Sequence, residues 1–168
     1  TQVKENGNIL IMVKSLGDYT DQLYKTLEPG AGALIEGPYG RFDYKNGSNS
    51  QLWIGGGVGI APFISWSNNL NKHPNKDLKV DIFYCVNHLS EATHISVFQE
   101  LEKVMPSVHI HLICSDVHGF FKMSDVEDIE RKDIFICGPR EMRKTLLAEC
   151  NKLNIRRKNI HYEDFDFV

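Results

Sequence analysis

The sequence predicts an α/β fold in which five parallel strands carry helices on both faces, preceded by a smaller segment read as a partial β-barrel remnant. Three observations carry this expectation. From Gln51 onward, apolar runs of strand length alternate with amphipathic segments of helix length, the order that winds a parallel sheet. The strand-length runs are almost continuously apolar, as strands covered on both faces must be. The first run ends in Gly55-Gly56-Gly57-Val58-Gly59, a turn dense in glycine, before Pro62 opens the next segment.

Along the chain, the expected strands are Leu52–Ile54, Val80–Val86, His109–Cys114, Asp133–Cys137 and Ile160–Tyr162. The first helix, Pro62–Asn71, starts on a proline, which suits an opening turn because its missing N–H has no partner there. The second, Glu91–Val104, sets Val97, Leu101 and Val104 at helical spacing. The third, Glu141–Leu153, follows Gly138-Pro139 and aligns Met142, Leu146, Leu147 and Cys150 as one apolar stripe. Residues before Gln51 read differently: Ile9–Val13 and Ala33–Ile35 are strand-like and Tyr19–Thr26 is a short helix, too little for a closed core. The polar, turn-rich stretch Asp43–Ser50 is the expected linker. The organisation is therefore read as a partial barrel at 1–42, a linker at 43–50 and a sheet domain at 51–168.

The glycine turn has a chemical reading. A side chain at Gly57 or Gly59 would stand between the backbone and an approaching pyrophosphate, whereas glycine leaves the N–H groups bare. The dipole of the following helix favours an anion by roughly 0.3–1 kcal/mol. The run departs from G-x-G-x-x-G at Pro62, and the same glycines would equally serve a strand-to-helix turn with no ligand. Gly138-Pro139 places Cys137 at the carboxyl edge of the sheet, where open parallel sheets of the Rossmann-like kind bind nucleotides. Cys85 and Cys114 fall at strand ends too, either facing one cleft with Cys137 or filling space as small apolar groups.

Composition narrows the classes. With 168 residues the chain holds one proper core. Its formal charge of −3 and pI near 6.1 give no electrostatic reason to expect nucleic acid or an anionic membrane as a partner. Four cysteines, Cys85, Cys114, Cys137 and Cys150, lie far apart without C-x-x-C spacing, so free thiols in a reducing compartment are expected. His109 and His111 share a strand face without a carboxylate or cysteine at ligand spacing, and no metal site is expected. Arg156-Arg157-Lys158 reads as a solvated turn. No apolar run approaches the ~20 residues a membrane helix needs. The chain starts at Thr1 and is read as a piece of something longer.

Five segments, in order, resemble the ferredoxin–NADP reductase superfamily, specifically the flavin and pyridine-nucleotide portion of ferric reductase and NADPH oxidase-like flavoproteins. Gly17-Asp18-Tyr19-Thr20 resembles the G-x-x-[ST] of a helix start beside the FAD pyrophosphate, and Glu36–Phe42 resembles the segment closing the flavin barrel. Gly55–Phe63 resembles the nicotinamide dinucleotide loop, Cys137-Gly138-Pro139 with Met142 resembles C-G-P-x-x-M, and Tyr162–Phe165 resembles the terminal E-x-F segment. The resemblance implies FAD and NAD(P)H as cofactors, with a hydride passing from the second to the first and single electrons going on to haem, ferric iron or a redox protein. It implies Gly17 and Thr20 at the flavin phosphates and Gly55, Gly56, Gly57, Gly59 and Pro62 at the nucleotide pyrophosphate. It places Ser115 and Asp116 at the adenosine ribose, and Gly138, Pro139 and Met142 around the nicotinamide. Cys137, Glu163 and Phe165 then stand beside the reacting rings, Phe165 stacked on the flavin. Read on their own, Thr20 serves equally as a phosphate contact or an ordinary N-cap, and Phe165 as a stacking ring or a core aromatic.

Two departures qualify the match. The family's R-x-Y-[ST] motif and half its flavin barrel are missing from this sequence, so tight FAD binding by the chain alone is not expected. Ser115-Asp116 stands where many NADPH-using relatives carry S-R, and Asn87 where an arginine is common. A carboxylate about 4 Å from a 2′-phosphate costs up to about 4 kcal/mol at an effective dielectric near 20, which favours NADH. His88, His118 and Lys122 offer compensating charge, so NADH and NADPH both stay open. Two other readings also stay open: a non-catalytic NAD(P)H-binding or sensing module, and a soluble oxygenase reductase component. The expected location is cytoplasmic, or the cytoplasmic side of a membrane through the parent protein.

Overall fold

The spatial order of the strands follows from where the chain crosses over. The computed structural model describes residues 2–3, 7–15, 17–37 and 39–163, with Gln2 and Val3 described by backbone alone. β1 (Gln2–Val3) and β2 (Ile9–Leu10) form a short antiparallel ribbon, and α1 (Asp18–Thr26) follows. β3 (Ser50–Gly56), α2 (Ala61–Lys72), β4 (Lys79–Val86), α3 (Ile95–Val104) and β5 (Val108–Cys114) step outward in one direction. After α4 (Ser115–His118) the chain returns to the other side of β3 as β6 (Asp133–Cys137), and α5 (Arg140–Lys152) leads to β7 (Ile160–Tyr162). The sheet order is β5-β4-β3-β6-β7, and every pairing in it is parallel.

Strand periodicity divides the buried residues between two faces. Trp53, Ile82, Tyr84 and Phe135 point to one face, where Phe63 and Trp66 of α2 and Phe98 and Leu101 of α3 cover them. Leu52, Ile54, Ile134 and Ile136 point to the other, against Leu146 and Cys150 of α5 and the loop residues Met123 and Ile129. The two-faced parallel sheet predicted from Gln51 onward is the architecture observed. Among the described residues no helix is long and apolar enough to cross a membrane.

Corrections concentrate at the ends and in the first third. Ala33–Ile35 is not a strand: Leu34 is 98% exposed, and no strand lies beside it among the described residues. Ile9–Val13 pairs only at Ile9–Leu10, and the barrel remnant amounts to this ribbon with α1, a helix without buried residues. α3 begins at Ile95 rather than Glu91, because Leu89–Glu91 forms a separate 3₁₀ turn. Its covered face runs through Phe98 and Leu101, and Val104 lies nearly half exposed.

The stretch read as a linker is packed. Tyr44 is buried against Trp53 and Trp66, with ring centroids 5.7 and 5.6 Å away, and Phe42 lies 5.0 Å from Trp66. Gln51, itself buried, donates from Nε2 to the carbonyls of Tyr44 (2.8 Å) and Ser48 (2.7 Å) and accepts from Trp53 Nε1 (2.8 Å). These bonds satisfy a buried amide that would otherwise cost about 1–3 kcal/mol. A glutamine beginning a strand therefore serves as a clamp on the residues before it.

At the opposite end of the sheet from the glycine turn, Asp133 accepts from the Ser48 backbone N–H at 2.8 Å and pairs with His161 Nε2 at 3.2 Å, while the His161 ring stacks on Phe135. Burial works against ionisation of Asp133, but the Ser48 and His161 contacts outweigh it and hold its carboxyl below the usual range. A carboxylate lowered on folding contributes stability that is complete above the unfolded pKa and is lost as pH falls through the folded one. Asp133→Asn should lower the thermal midpoint at neutral pH and shrink the further fall below about pH 4. Calorimetric midpoints that drop with the same acid slope in both proteins would refute this role.

Candidate functional site

β3 carries Gly55 and Gly56 to the carboxyl edge, and the chain turns at Gly57, whose φ of 52° lies in the left-handed region. A 3₁₀ turn, Gly57–Ile60, intervenes before α2 starts at Ala61 with Pro62 in its first turn. The helix therefore begins later than a glycine-to-helix turn implies. Gly59 is fixed by space: a Cβ there would lie 2.6 Å from Gly138 Cα. The turn after β3 and the turn after β6 thus touch backbone to backbone. They meet between the two neighbours at which the strand order reverses, the place where open parallel sheets bind ligands.

A cavity of about 440 Å³ opens on this edge. Gly56 and Gly57 border it from the β3 turn, Cys85 and Asn87 from the end of β4, Ser115 from α4, Phe120 and Phe121 from the loop beyond, and Pro139, Met142 and Thr145 from the start of α5. Pro139 and Met142 also close over Gly56. The walls are mainly apolar with a few polar groups, the usual character of a small-molecule site.

At the β5 side, Ser115 Oγ lies 3.3 Å from Asn87 Oδ1, and the Asp116 N–H donates to the Asn87 carbonyl at 3.3 Å. The Asp116 carboxylate stands beside the cavity lining and pairs with His88 Nδ1. His118 is used locally, its Nδ1 accepting from the Cys114 N–H at 3.1 Å. The side chain that faces the Asp116 carboxylate is therefore His88.

The residues anticipated from the sequence do not all converge. Gly56, Gly57, Ser115, Pro139 and Met142 border the cavity, Gly59 and Gly138 form the backbone junction behind it, and Gly55 lies against Ile60 and Phe63. Pro62 and Glu163 line a second, open groove of about 580 Å³ with Tyr39, Phe42 and Trp66. There the Glu163 carboxylate lies against Gly40, and its N–H donates to the Ile136 carbonyl at 3.4 Å. Gly17 and Thr20 open α1, where Thr20 Oγ1 accepts from the Gly17 N–H (3.2 Å) and donates to the Gly17 carbonyl (3.1 Å). Phe165 lies outside the described residues.

The three strand-end thiols do not share a cleft. Cys85 lines the cavity, whereas Cys114 and Cys137 are buried in the first-face core. Burial pushes the Cys85 thiol up to about 12. Burial, reinforced by the negative charge of Glu163 and opposed by Arg143, pushes Cys137 up to about 12 as well. Burial thus favours the neutral form of both thiols. Among the described residues no group of His, Cys, Asp and Glu is placed to hold a metal ion.

Sequence reasoning missed Lys14, Glu91, Phe120, Phe121 and Thr145 as wall residues. Phe120 and Phe121 were accessible in principle: Gly119, with φ of 72°, closes α4 and is followed by two aromatics on the carboxyl-edge side of β5. Lys14 carries no local signal, because a long-range contact brings it there.

The family model for an oxidoreductase NAD-binding domain matches residues 53–147, more than half of the chain. A subunit of the Na(+)-translocating NADH-quinone reductase of Psychrobacter cryohalolentis is 24% identical over 83% of this chain, which spans 38% of that protein. Among solved structures, the flavohemoglobin of Malassezia yamatoensis superposes with a TM-score of 0.74 at 21% identity, covering 91% of this chain and 42% of that one. The cytochrome b5 reductase domain of Ulva prolifera nitrate reductase gives 0.72 at 18% identity, covering 88% and 64%. These likenesses establish the fold.

The raised thiol values yield a direct test. In the folded protein at neutral pH, Cys85 and Cys137 should resist iodoacetamide while the unfolded chain is fully alkylated. Rapid native alkylation of either residue, read by peptide mass spectrometry, would contradict the burial and protonation assigned to it.

Proposed function

The chain belongs to the oxidoreductase NAD-binding domain family, and on that premise we propose that its parent is an NAD(P)H-dependent flavoprotein oxidoreductase. The parent passes a hydride from NAD(P)H to FAD and single electrons onward to haem, ferric iron or a protein acceptor. The observation that carries this reading is the backbone junction of Gly59 with Gly138 at the strand-order reversal, beside a cavity bordered by Gly56 and Gly57.

The residues present fit a dinucleotide. Gly57 borders the cavity without a side chain, its open face suited to backbone contact with phosphate oxygens, and Gly56 beside it is covered by Pro139 and Met142. Ser115, with Asn87 behind it, faces the adenosine ribose, and Asp116 with its His88 partner reads the 2′ position. Pro139 and Met142 bound the nicotinamide end of the cavity, with Gly138 in the junction behind them, and Cys137 packs in the first-face core. Hydride donation by the nicotinamide and its acceptance by the flavin are the chemistry that these groups supply when bound. The chain's own part is to hold one ring in position against the other and to keep water from between them. Glu163 and Pro62 border the groove on the far side of the junction and serve the flavin side, together with Gly17, Thr20 and Phe165. The chain spans 38% of the length of the reductase subunit it resembles, and before the sheet domain the described residues form the β1–β2 ribbon and α1.

Within this class we assign the parent to the ferric reductase and NADPH oxidase-like group, on the five ordered segments. Similarity to one component of a Na(+)-translocating quinone reductase supports a membrane-associated parent with this part on the cytoplasmic side.

The full-length parent, supplied with FAD and either nucleotide, should reduce ferricyanide in steady state; no activity with NADH or NADPH would end the proposal. Asp116→Arg should raise affinity for NADPH relative to NADH by about tenfold, removing a repulsion and adding an attraction. Titrations giving an unchanged ratio would show that Asp116 does not face the 2′ position.

A further inference from the structure

We propose that Glu102 and His118 close the outer edge of β5, so that a second copy of this chain is not taken up there as a sixth strand. The closure holds whatever the cavity binds, because Glu102 and His118 are not among its wall residues.

The sheet has two edges, β5 and β7. β7 is three residues long, and an edge that short offers little to a partner. β5 is seven residues long, and its sequence Val-His-Ile-His-Leu-Ile-Cys holds no proline, glycine, lysine or carboxylate to discourage pairing. Left bare, a strand of that length and composition is a template for association.

The pairing with β4 decides which backbone groups such a strand would offer. The Val80 N–H donates to the Ser107 carbonyl at 3.0 Å, and Val80 stands opposite Val108. Backbone groups alternate in direction along a strand, so His109, His111 and Ile113 turn theirs to β4, while Val108, Ile110, Leu112 and Cys114 turn theirs outward. Three of those four outward N–H groups are already taken. Val108 donates to the Met105 carbonyl at 2.9 Å, in the turn that enters the strand. Ile110 donates to Glu102 Oε1 at 2.7 Å, a carboxylate reaching across from α3. Cys114 donates to His118 Nδ1 at 3.1 Å, an imidazole folded back from α4. An added strand pairs through every second residue, and here Leu112 stands between two closed neighbours.

The Glu102 bond is the stronger closure, since a hydrogen bond to a carboxylate exceeds one between neutral groups. A docking strand would have to displace this partly buried carboxylate and leave it without the amide it now holds. A copy related by a two-fold axis would carry the same closures on its own β5, so each obstacle would be met twice.

Sedimentation velocity of the full chain tests the assignment. The wild type should run as a monomer, and joining Glu102→Leu to His118→Ala should strengthen self-association by about tenfold or more. Glu102→Gln, which keeps an acceptor oxygen in place, should behave as the wild type. Amide exchange reads the bond itself and needs only the single variant: Ile110 should exchange about tenfold faster in Glu102→Leu than in the wild type or Glu102→Gln. A folded double variant as monomeric as the wild type would overturn the proposal, and so would a wild-type dimer joined through β5. Unchanged exchange at Ile110 in Glu102→Leu, or association of Glu102→Gln as strong as that of Glu102→Leu, would overturn the role given to the Glu102 bond.

Discussion

The contact on which the rest of this structure depends is the approach of the turn after β3 to the turn after β6, backbone against backbone at Gly59 and Gly138. β3 is the central strand, paired with β4 on one side and β6 on the other, so its turn sits where the two halves of the sheet diverge. Any side chain at Gly59 would force those halves apart at their ligand edge. With the junction closed, one side becomes a walled cavity and the other an open groove bearing Pro62 and Glu163. A single steric requirement thus separates the two places where a nucleotide and a second ring system would be received.

Around that junction the fold uses burial rather than reactivity. The first face is an aromatic cluster of Phe42, Tyr44, Trp53, Phe63, Trp66 and Phe135, each pair worth about 0.5–1.5 kcal/mol beyond the area it buries. Cys137 belongs to the same layer, and Cys150 lies in the opposite core. Thiols that look in sequence like candidates for chemistry are, in space, small apolar residues whose neutral form the interior enforces. The chain prepares a shape and a set of amides, and the redox chemistry is left to what occupies them.

The sheet was legible in the sequence because doubly covered strands advertise themselves: Val80–Val86 and Asp133–Cys137 are nearly continuous apolar runs with no other solution than burial. The glycine turn was legible for the opposite reason, since a concentration of side-chain-free residues between a strand and a helix has few uses. What stayed hidden depends on partners far away in sequence. Ala33–Ile35 has strand composition, but a strand needs a neighbour, and among the described residues Leu34 has none beside it. Glu91 reads as helical by pattern, yet the Leu89–Glu91 turn ends on its own and α3 starts afresh at Ile95. Of the site residues, those on the turns were found from local pattern. Lys14 was not, because its place on the cavity wall depends on residues far away in sequence. Pro62 and Glu163 were found too, but that they line the groove rather than the cavity is a distinction no spacing encodes.

The Gln51 clamp has a consequence for movement. Because its amide grips the carbonyls of Tyr44 and Ser48, and because Phe42 and Tyr44 are wedged among Trp53, Phe63 and Trp66, residues 42–51 are mechanically part of the sheet domain. A swing of the preceding residues must pivot upstream of Phe42, and the two tryptophans stay covered throughout it. The polar stretch that looks like a hinge is a brace.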